Sequence, residues 1–423
     1  MTKLFNFAPV KMTETLRKFI NEHSKDDLSK LLLSASRYEN IDVKNAVVQI
    51  KARNSIKDKL PSWYDNDRLL FPSTLAAEQC SSEITALYKQ RFVTNTDCLC
   101  DLTGGLGVDT YFFSKKAREV IYVERNEDYC NAARYNMDML GALNVSVVNG
   151  DAVALVTNGD DVIAGAGVYY ADPARRGMGN KRMFALSDCE PDMAKIWPLL
   201  SEKKCKIIMK LSPMLDIMQV LTQLPGICEM HIVSVKNECK ELLAVSASPT
   251  PTLPQGEGGN QTDIICVNYT SGGDEQIFRF SLLDEQSCMI CLAEGVEKYL
   301  YEPNSSILKG GAYKTVALHY EVKKLHVSSH LYTSDNIISS FPGRIFEVTD
   351  VIPFNNRTCK TLSSEIPQAN ITVRNFPLSV DELRKRTHIV DGGNVYLFAT
   401  TLSDGRKVLI KCLRPSFYKT SVL

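Results

Sequence analysis

The sequence predicts an α/β protein whose centre is a mostly parallel sheet covered by helices. Three observations carry this. From Asp97 onward, short apolar β-type runs alternate with helical stretches. A glycine-rich turn, Gly104 to Gly107, follows the first of these runs directly. Acidic residues stand at or just past the ends of four successive runs: Asp101, Glu124, Asp151 and Asp172. Strands that alternate with helices are joined by crossovers, and crossovers place helices on both faces of a parallel sheet.

Taken in order, residues up to about Phe92 read as helical. Leu28–Ser36 and Asn45–Asp58 carry apolar residues at helical spacing. Thr74–Gln90 reads as one amphipathic helix capped by Ser73 or Thr74. The strand-like runs are Cys98–Leu102, Val120–Glu124, Val145–Asn149, Val168–Asp172, Lys206–Leu211 and Met230–Val235. Helical stretches between them include Asp128–Gly141 and Pro191–Lys203. Two late strands, Leu242–Ser246 and Asp263–Tyr269, flank a loop rich in Pro and Gly at Thr250–Asn260. Beyond Gly273 the runs shorten and basic residues intermix. The last pair, Val395–Leu402 and Lys407–Leu413, is joined through Asp404-Gly405, a strong hairpin signal. The expected division is 1–95 helical, 96–273 the sheet domain, and 274–345 and 346–423 as accessory α+β parts.

Bulk properties narrow the function. A chain of 423 residues with 44% apolar residues can build several cores. Formal net charge is zero, but Leu300–Leu423 holds 16 Lys and Arg against 10 Asp and Glu, which favours a polyanion-facing C-terminal part. The 13 cysteines are scattered, and Cys288/Cys291 is the only C-x-x-C pair, so no metal is expected. The N-terminus lacks a signal-peptide pattern. No window reaches the roughly 20 apolar residues of a membrane span, so a cytoplasmic protein with no membrane partner is expected.

The turn Asp101-Leu-Thr103-Gly104-Gly105-Leu-Gly107-Val-Asp109 allows a ligand to approach the backbone at the carboxyl end of a strand, where open α/β sheets bind their ligands. A dehydrogenase turn would read G-x-G-x-x-G, whereas the order here is G-G-x-G. Glu124, followed by Arg125, ends the second strand, where a carboxylate accepts from ribose hydroxyls. Asp151-Ala152 follows the third and suits an adenine amino group. Asp172-Pro173-Ala174-Arg175-Arg176 ends the fourth.

These residues, spanning Asp97 to Tyr269, resemble class I methyltransferases of the Rossmann-like, seven-stranded fold. The resemblance implies S-adenosyl-L-methionine as cofactor. Asp101, Thr103, Gly104, Gly105, Gly107 and Asp109 would shape the donor pocket. Glu124 and Arg125 would face the ribose, and Asp151 and Ala152 the adenine. Asp172, Pro173 and Arg175 would form the reacting centre. Amine-methylating relatives carry (Asn/Asp)-Pro-Pro-aromatic at this point, in which two oxygens accept from the target amine and the aromatic stacks on a flipped base. Here Ala174 and Arg175 replace the second Pro and the aromatic, which argues against amine methylation. Uracil-C5 enzymes need a cysteine after the fifth strand, but this chain reads Lys210-Leu-Ser-Pro-Met-Leu-Asp216. Arg175, Arg176, Arg182 and Lys210 suit phosphate or carboxylate, or else Arg175 and Arg176 pair with Asp188 and Glu190. In related RNA methyltransferases a segment just before the first strand covers the cofactor, so Glu78, Gln79 and Ser82 form either such a lid or an exposed helix face.

Tyr301–Lys314 and Phe341–Val348, together with Asp172–Gly177 and Lys210–Pro213, resemble a bacterial methyltransferase family with a ferredoxin-like segment and a THUMP-like domain. That resemblance implies RNA, tRNA or rRNA, as partner and substrate. Lys309, Lys314, Lys323, Lys324, Arg384, Lys385, Arg386, Arg406, Lys407, Lys411 and Arg414 would face phosphates, and Tyr313, Tyr320 and His330 would stack on bases, unless the aromatics are core. The alternatives are a methyltransferase acting on a protein or small acidic metabolite, and a non-catalytic protein that keeps the cofactor pocket.

Overall fold

The computed structural model describes residues 12–175, 189–203, 205–246 and 262–415, with the Arg175 side chain outside that description. It divides into two compact units: Met1–Cys228 with Leu242–Gly256, and Glu229–Glu241 with Glu257–Leu423.

The first unit is built on strands β1 (Cys98–Asp101), β2 (Glu119–Glu124), β3 (Val145–Asn149), β4 (Val168–Ala171), the short β5 (Ala174–Arg175) and β6 (Cys189–Glu190), and β7 (Lys206–Leu211). A hairpin follows, β8 (Ile227–Val235) and β9 (Glu238–Ser246), whose strands run through both units. Strand order is β3-β2-β1-β4-β7-β9-β8. The first five strands pair in parallel, and β9 is antiparallel to β7. Chain order reverses between β1 and β4, so their carboxyl ends open a crevice. Every residue of β1 and β4 is buried, as expected for strands covered on both faces.

The N-terminal helices pack directly onto the glycine turn. Ala52, Ile56, Leu60, Trp63, Phe71 and Ala77 share one core cluster with Leu106, Val108 and Phe112. Buried Asn136 fixes the connecting segment, since it accepts from the Leu70 N–H and donates to the Leu70 carbonyl, both at 2.8 Å. The expected single helix Thr74–Gln90 is instead two, Thr74–Gln79 and Glu83–Lys89. Ser73 caps the first, as expected, accepting from the Ala76 N–H at 3.0 Å. Ser82 restarts the second by accepting from the Thr85 N–H, and Cys80 between them is extended. A serine one turn before a helical run competes for its backbone donors and so ends one helix and begins another.

In the second unit β8 pairs in parallel with β10 (Asp263–Tyr269), and β10 pairs antiparallel with β11 (Glu275–Ser281) through the turn at Thr270–Asp274. A separate sheet holds β12 (Tyr299–Pro303), β13 (Lys323–His326), β14 (Ser329–Ser334), β15 (Gly343–Pro353), β16 (Asn370–Arg374), β17 (Tyr396–Thr401) and β18 (Lys407–Leu413). Its order is β13-β14-β12-β15-β18-β17-β16. The β17–β18 hairpin turns at Gly405, as the sequence predicts. Glu302, buried on β12, is gripped by Arg344 and by Arg374, the latter at 2.9 Å.

Candidate active site

A cleft of about 1070 Å³ opens in the first unit at the carboxyl ends of its parallel strands. It is lined by Asp101, Thr103, Gly104, Gly105, Gly107 and Asp109 from the glycine turn, and by Glu124 and Arg125 after β2. Asp151, Ala152, Asp172, Lys210 and Gln79 complete the sequence-predicted part of the wall.

The glycine turn is held against β2. The Gly104 N–H donates to the Val123 carbonyl at 2.9 Å, and a Cβ on Gly104 would strike the Tyr122 ring. The Tyr122 hydroxyl in turn donates to the Gly105 carbonyl at 2.6 Å. Gly107, at φ 85°, lies in the left-handed region and opens the helix Val108–Ser114. The Glu124 carboxylate accepts from the Gly105 N–H at 3.2 Å and from the Asn126 N–H at 2.8 Å, so its position is fixed at the cleft edge. Asp151 is exposed and caps the helix Ala152–Asn158, accepting from the Ala154 N–H at 2.9 Å.

Asp101 is buried beneath the turn. It accepts from the Thr103 N–H at 3.0 Å and from the Thr110 hydroxyl at 2.6 Å. Burial outweighs these bonds and pushes its carboxyl up to about 7. Asp109 meets the opposite fate. Burial alone would raise its carboxyl, but Lys89, 3.0 Å away, and Lys210 hold it below the ordinary range. Its Oδ2 accepts from the Ser81 and Tyr170 hydroxyls, each at 2.7 Å.

Ser81 joins two ion pairs. Its Oγ accepts from Lys89 at 3.0 Å and from Lys210 at 3.3 Å. Lys210 also donates to Asp172 Oδ2 at 2.5 Å. The Asp172 N–H donates to the Thr103 hydroxyl at 2.6 Å, which ties the end of β4 to the glycine turn.

Sequence reasoning missed Ser81, Lys89 and Tyr170. The signal was the Ser81-Ser82 pair: Ser81 lies within the helix expected over Thr74–Gln90, and Ser82 is expected in the lid. Glu78, expected in the lid, is exposed and does not line the cleft: it lies in the last turn of its helix, where its carbonyl accepts from Lys59. Ser82 is used as a helix cap. Pro173 is half-buried behind the wall that Asp172 and Ala174 form. The Arg175 backbone pairs with Cys189, while Arg176, Arg182 and Asp188 lie outside the described residues. Glu190 pairs with Arg125.

In the second unit Lys324 departs from the expected cationic surface. It is buried, and its ammonium donates to the Val327 carbonyl at 2.7 Å. Tyr313 and His330 stack on each other with centroids 3.6 Å apart, and burial lowers His330 to about 4. Tyr320 packs against Phe278 and Phe341. These rings therefore serve the unit's packing. Lys323 pairs with Glu297, Arg384 with Asp391 and Arg406 with Asp404. Among the described residues no helix is long and apolar enough to cross a membrane, and no group of three His, Cys, Asp or Glu is placed to hold a metal.

A β3-β2-β1-β4-β7-β9-β8 sheet with an antiparallel β9, a glycine turn after β1 and an acid after β2 defines a class I, Rossmann-like methyltransferase. Comparison with known proteins gives the finer grouping. Residues 299–342 match a ferredoxin-like domain, and residues 343–414 match a THUMP domain-like family. A candidate methyltransferase from Porphyromonas gingivalis W83 is 35% identical, with TM-score 0.81, over 95% of this chain and 98% of that one. The chain belongs to that family of methyltransferases with ferredoxin-like and THUMP-like C-terminal domains. A candidate methyltransferase from Streptococcus mutans, solved with S-adenosylhomocysteine, is 15% identical over 30% of this chain and 70% of that one, with TM-score 0.23. An rRNA methylase from Streptococcus thermophilus is 9% identical over 38% of this chain and 92% of that one, with TM-score 0.29. These two partial likenesses carry no weight for ligand or substrate. No curated protein matches the chain.

Proposed function

We propose that the protein transfers a methyl group from S-adenosyl-L-methionine to RNA, tRNA or rRNA, in the cytoplasm. The observation that carries this is the Glu124 carboxylate, fixed by the Gly105 and Asn126 N–H groups at the edge of the cleft. A held carboxylate with lone pairs to spare suits a vicinal diol. Exposed Asp151 suits the adenine amino group, and a cleft of about 1070 Å³ has room for a nucleoside and an acceptor. The donor-set chemistry therefore fits S-adenosylmethionine, which would supply an electrophilic methyl carbon. The chain's part is to hold and orient the two reactants. Glu124 and Arg125 would hold the ribose, Asp151 and Ala152 the adenine side. Gln79 would close over the donor, and Asp172 and Lys210 would meet the acceptor. Arg175 and Arg176 are proposed to contact acceptor phosphate. The THUMP domain-like match and the positive excess after Leu300 support RNA as the acceptor. We further propose that 1–95 and 96–273 act together on the donor, and that 274–345 and 346–423 present the acceptor. Thirteen scattered cysteines, with Cys288/Cys291 as the one C-x-x-C pair, suit a reducing compartment.

Isothermal titration with S-adenosylhomocysteine tests the donor half. Glu124→Ala should weaken binding about 10- to 100-fold, the worth of hydrogen bonds to a charged group. Wild-type protein that fails to bind would overturn the reading. RNA affinity that falls steeply with salt tests the acceptor half, and affinity indifferent to salt would count against it.

A further inference from the structure

Lys210 and Asp172 stand at the carboxyl ends of the adjacent parallel strands β7 and β4, which pair at Met209 and Ala171. Their charged groups meet at 2.5 Å in the cleft wall. We propose that this pair reads a lactam edge, a ring N–H beside a ring C=O, and that the methyl acceptor is that ring nitrogen. Guanine presents such an edge at N1 and C6, and uracil at N3 and C4. The inference rests on the assignment of the cleft to S-adenosylmethionine and RNA made above.

The argument begins with donors and acceptors. An exocyclic amine brings two N–H groups and needs two acceptors. Here the Asp172 carboxylate and the Lys210 ammonium stand side by side, so an amine seated across both would set an N–H against the ammonium. A lactam satisfies both groups: its N–H goes to the Asp172 carboxylate, and its C=O takes an N–H from Lys210. The lysine has three such N–H groups and would exchange one of its present partners for the carbonyl.

Lys210 is not a mobile surface cation. Its side chain is 14% exposed and is braced by Ser81, which Asp109 and Lys89 hold from behind. Asp172 is fixed through Thr103. A donor and an acceptor held this firmly by neighbouring groups are preorganised, so they discriminate by geometry. The paired charges also leave this part of the wall near neutral, which suits an uncharged base.

The same pair suits the chemistry. A lactam nitrogen is a poor nucleophile while it keeps its proton. Asp172 is placed to take that proton, and Lys210 faces the oxygen onto which the negative charge spreads. The nitrogen's electron pair then forms the bond to the methyl carbon, the sulfur keeps the pair of the bond that breaks, and the proton stays on Asp172 until solvent removes it.

Two arms test the inference on the full-length protein. In the first, total RNA from cells lacking the gene is incubated with protein and S-adenosylmethionine, digested, and its nucleosides resolved by mass spectrometry. Methyl groups on guanine N1 or uracil N3 support it and name the base. Methyl groups on an exocyclic amine, a carbon or a ribose overturn it while leaving the RNA reading intact. In the second, protein saturated with S-adenosylhomocysteine is titrated with GMP, UMP, AMP and CMP. GMP or UMP should bind at least tenfold more tightly than AMP and CMP. Lys210→Met should abolish that preference and Lys210→Arg retain it. Absent, equal or reversed binding of the lactam nucleotides overturns the inference. If no RNA is methylated the RNA reading fails, and the second arm alone then decides. If S-adenosylhomocysteine does not bind, both fall together.

Discussion

Asp101 makes the fold's stability depend on pH in an unusual direction. Its carboxyl is raised from 3.8 to about 7 by burial. A carboxyl raised in the folded state is protonated there while the unfolded chain has already lost its proton. Between pH 4 and pH 7 the native protein therefore binds more protons, and this group's contribution to stability is lost as pH rises through that window. A shift of about 3 units, at about 1.4 kcal/mol each, is worth about 4 kcal/mol at pH 8 relative to pH 4. Asp101→Asn removes the titration while keeping the shape. Its Oδ1 still accepts from the Thr103 N–H, and its amide can donate to the Thr110 hydroxyl, which reverses its present role. Relative to wild type the variant should gain about 4 kcal/mol of stability between pH 4 and pH 8. Urea unfolding followed by tryptophan fluorescence suits this test, because both tryptophans, Trp63 and Trp197, are buried in the first unit. Taking the variant-minus-wild-type difference cancels carboxylates such as Asp109, which push the other way. A difference that stays flat from pH 4 to pH 8 would refute the reasoning and show that the bonds from Thr103 and Thr110 already hold Asp101 ionised.

Three further substitutions probe other contacts. Gly104→Ala drives a methyl into the Tyr122 ring and should cost about 1–3 kcal/mol with loss of S-adenosylhomocysteine binding, read by thermal shift with and without that ligand. Unchanged binding would show that the turn yields freely. Ser81→Ala removes the hydroxyl that Lys89 and Lys210 share, and should cost about 1–3 kcal/mol by urea unfolding while Ser81→Thr costs less. Equal losses would mean that the site needs the small side chain rather than its hydroxyl. Glu302→Gln leaves Arg344 and Arg374 facing a neutral amide; because both arginines reach solvent, about 2 kcal/mol is expected, below the usual cost of breaking a fully buried pair. Hydrogen exchange along β12 and β15 reads that loss.

The parts of the fold legible in the sequence are those that obey short-range rules. The glycine turn, the acid after β2 and the alternation of strand and helix all lie within local windows, and Gly104 announces a close approach that only its neighbourhood on β2 explains. What escaped is of another kind. Ser81 is an ordinary serine beside another serine, and Lys89 an ordinary lysine in a helical run. Nothing in a local window says that the helix breaks at Cys80, or that a lysine at the end of the second helix is buried beside Asp109. The link between Ser81 and Lys210 spans 129 positions of chain. It arises because the N-terminal helices share a core with the helix of the glycine turn, which places the broken helix against the ends of β4 and β7. The same reasoning explains the misjudged cations. Lys324 is expected on a phosphate-facing surface, yet it is buried on β13 and satisfied by a carbonyl three residues away. Motifs thus reveal where a ligand's backbone contacts fall. The side chains that set the charge beside Asp172 are recruited by packing: Lys210, braced by Ser81, pairs with the acid that the fourth motif retains, whereas Ala174 and Arg175 are where that motif leaves the amine-methylating pattern.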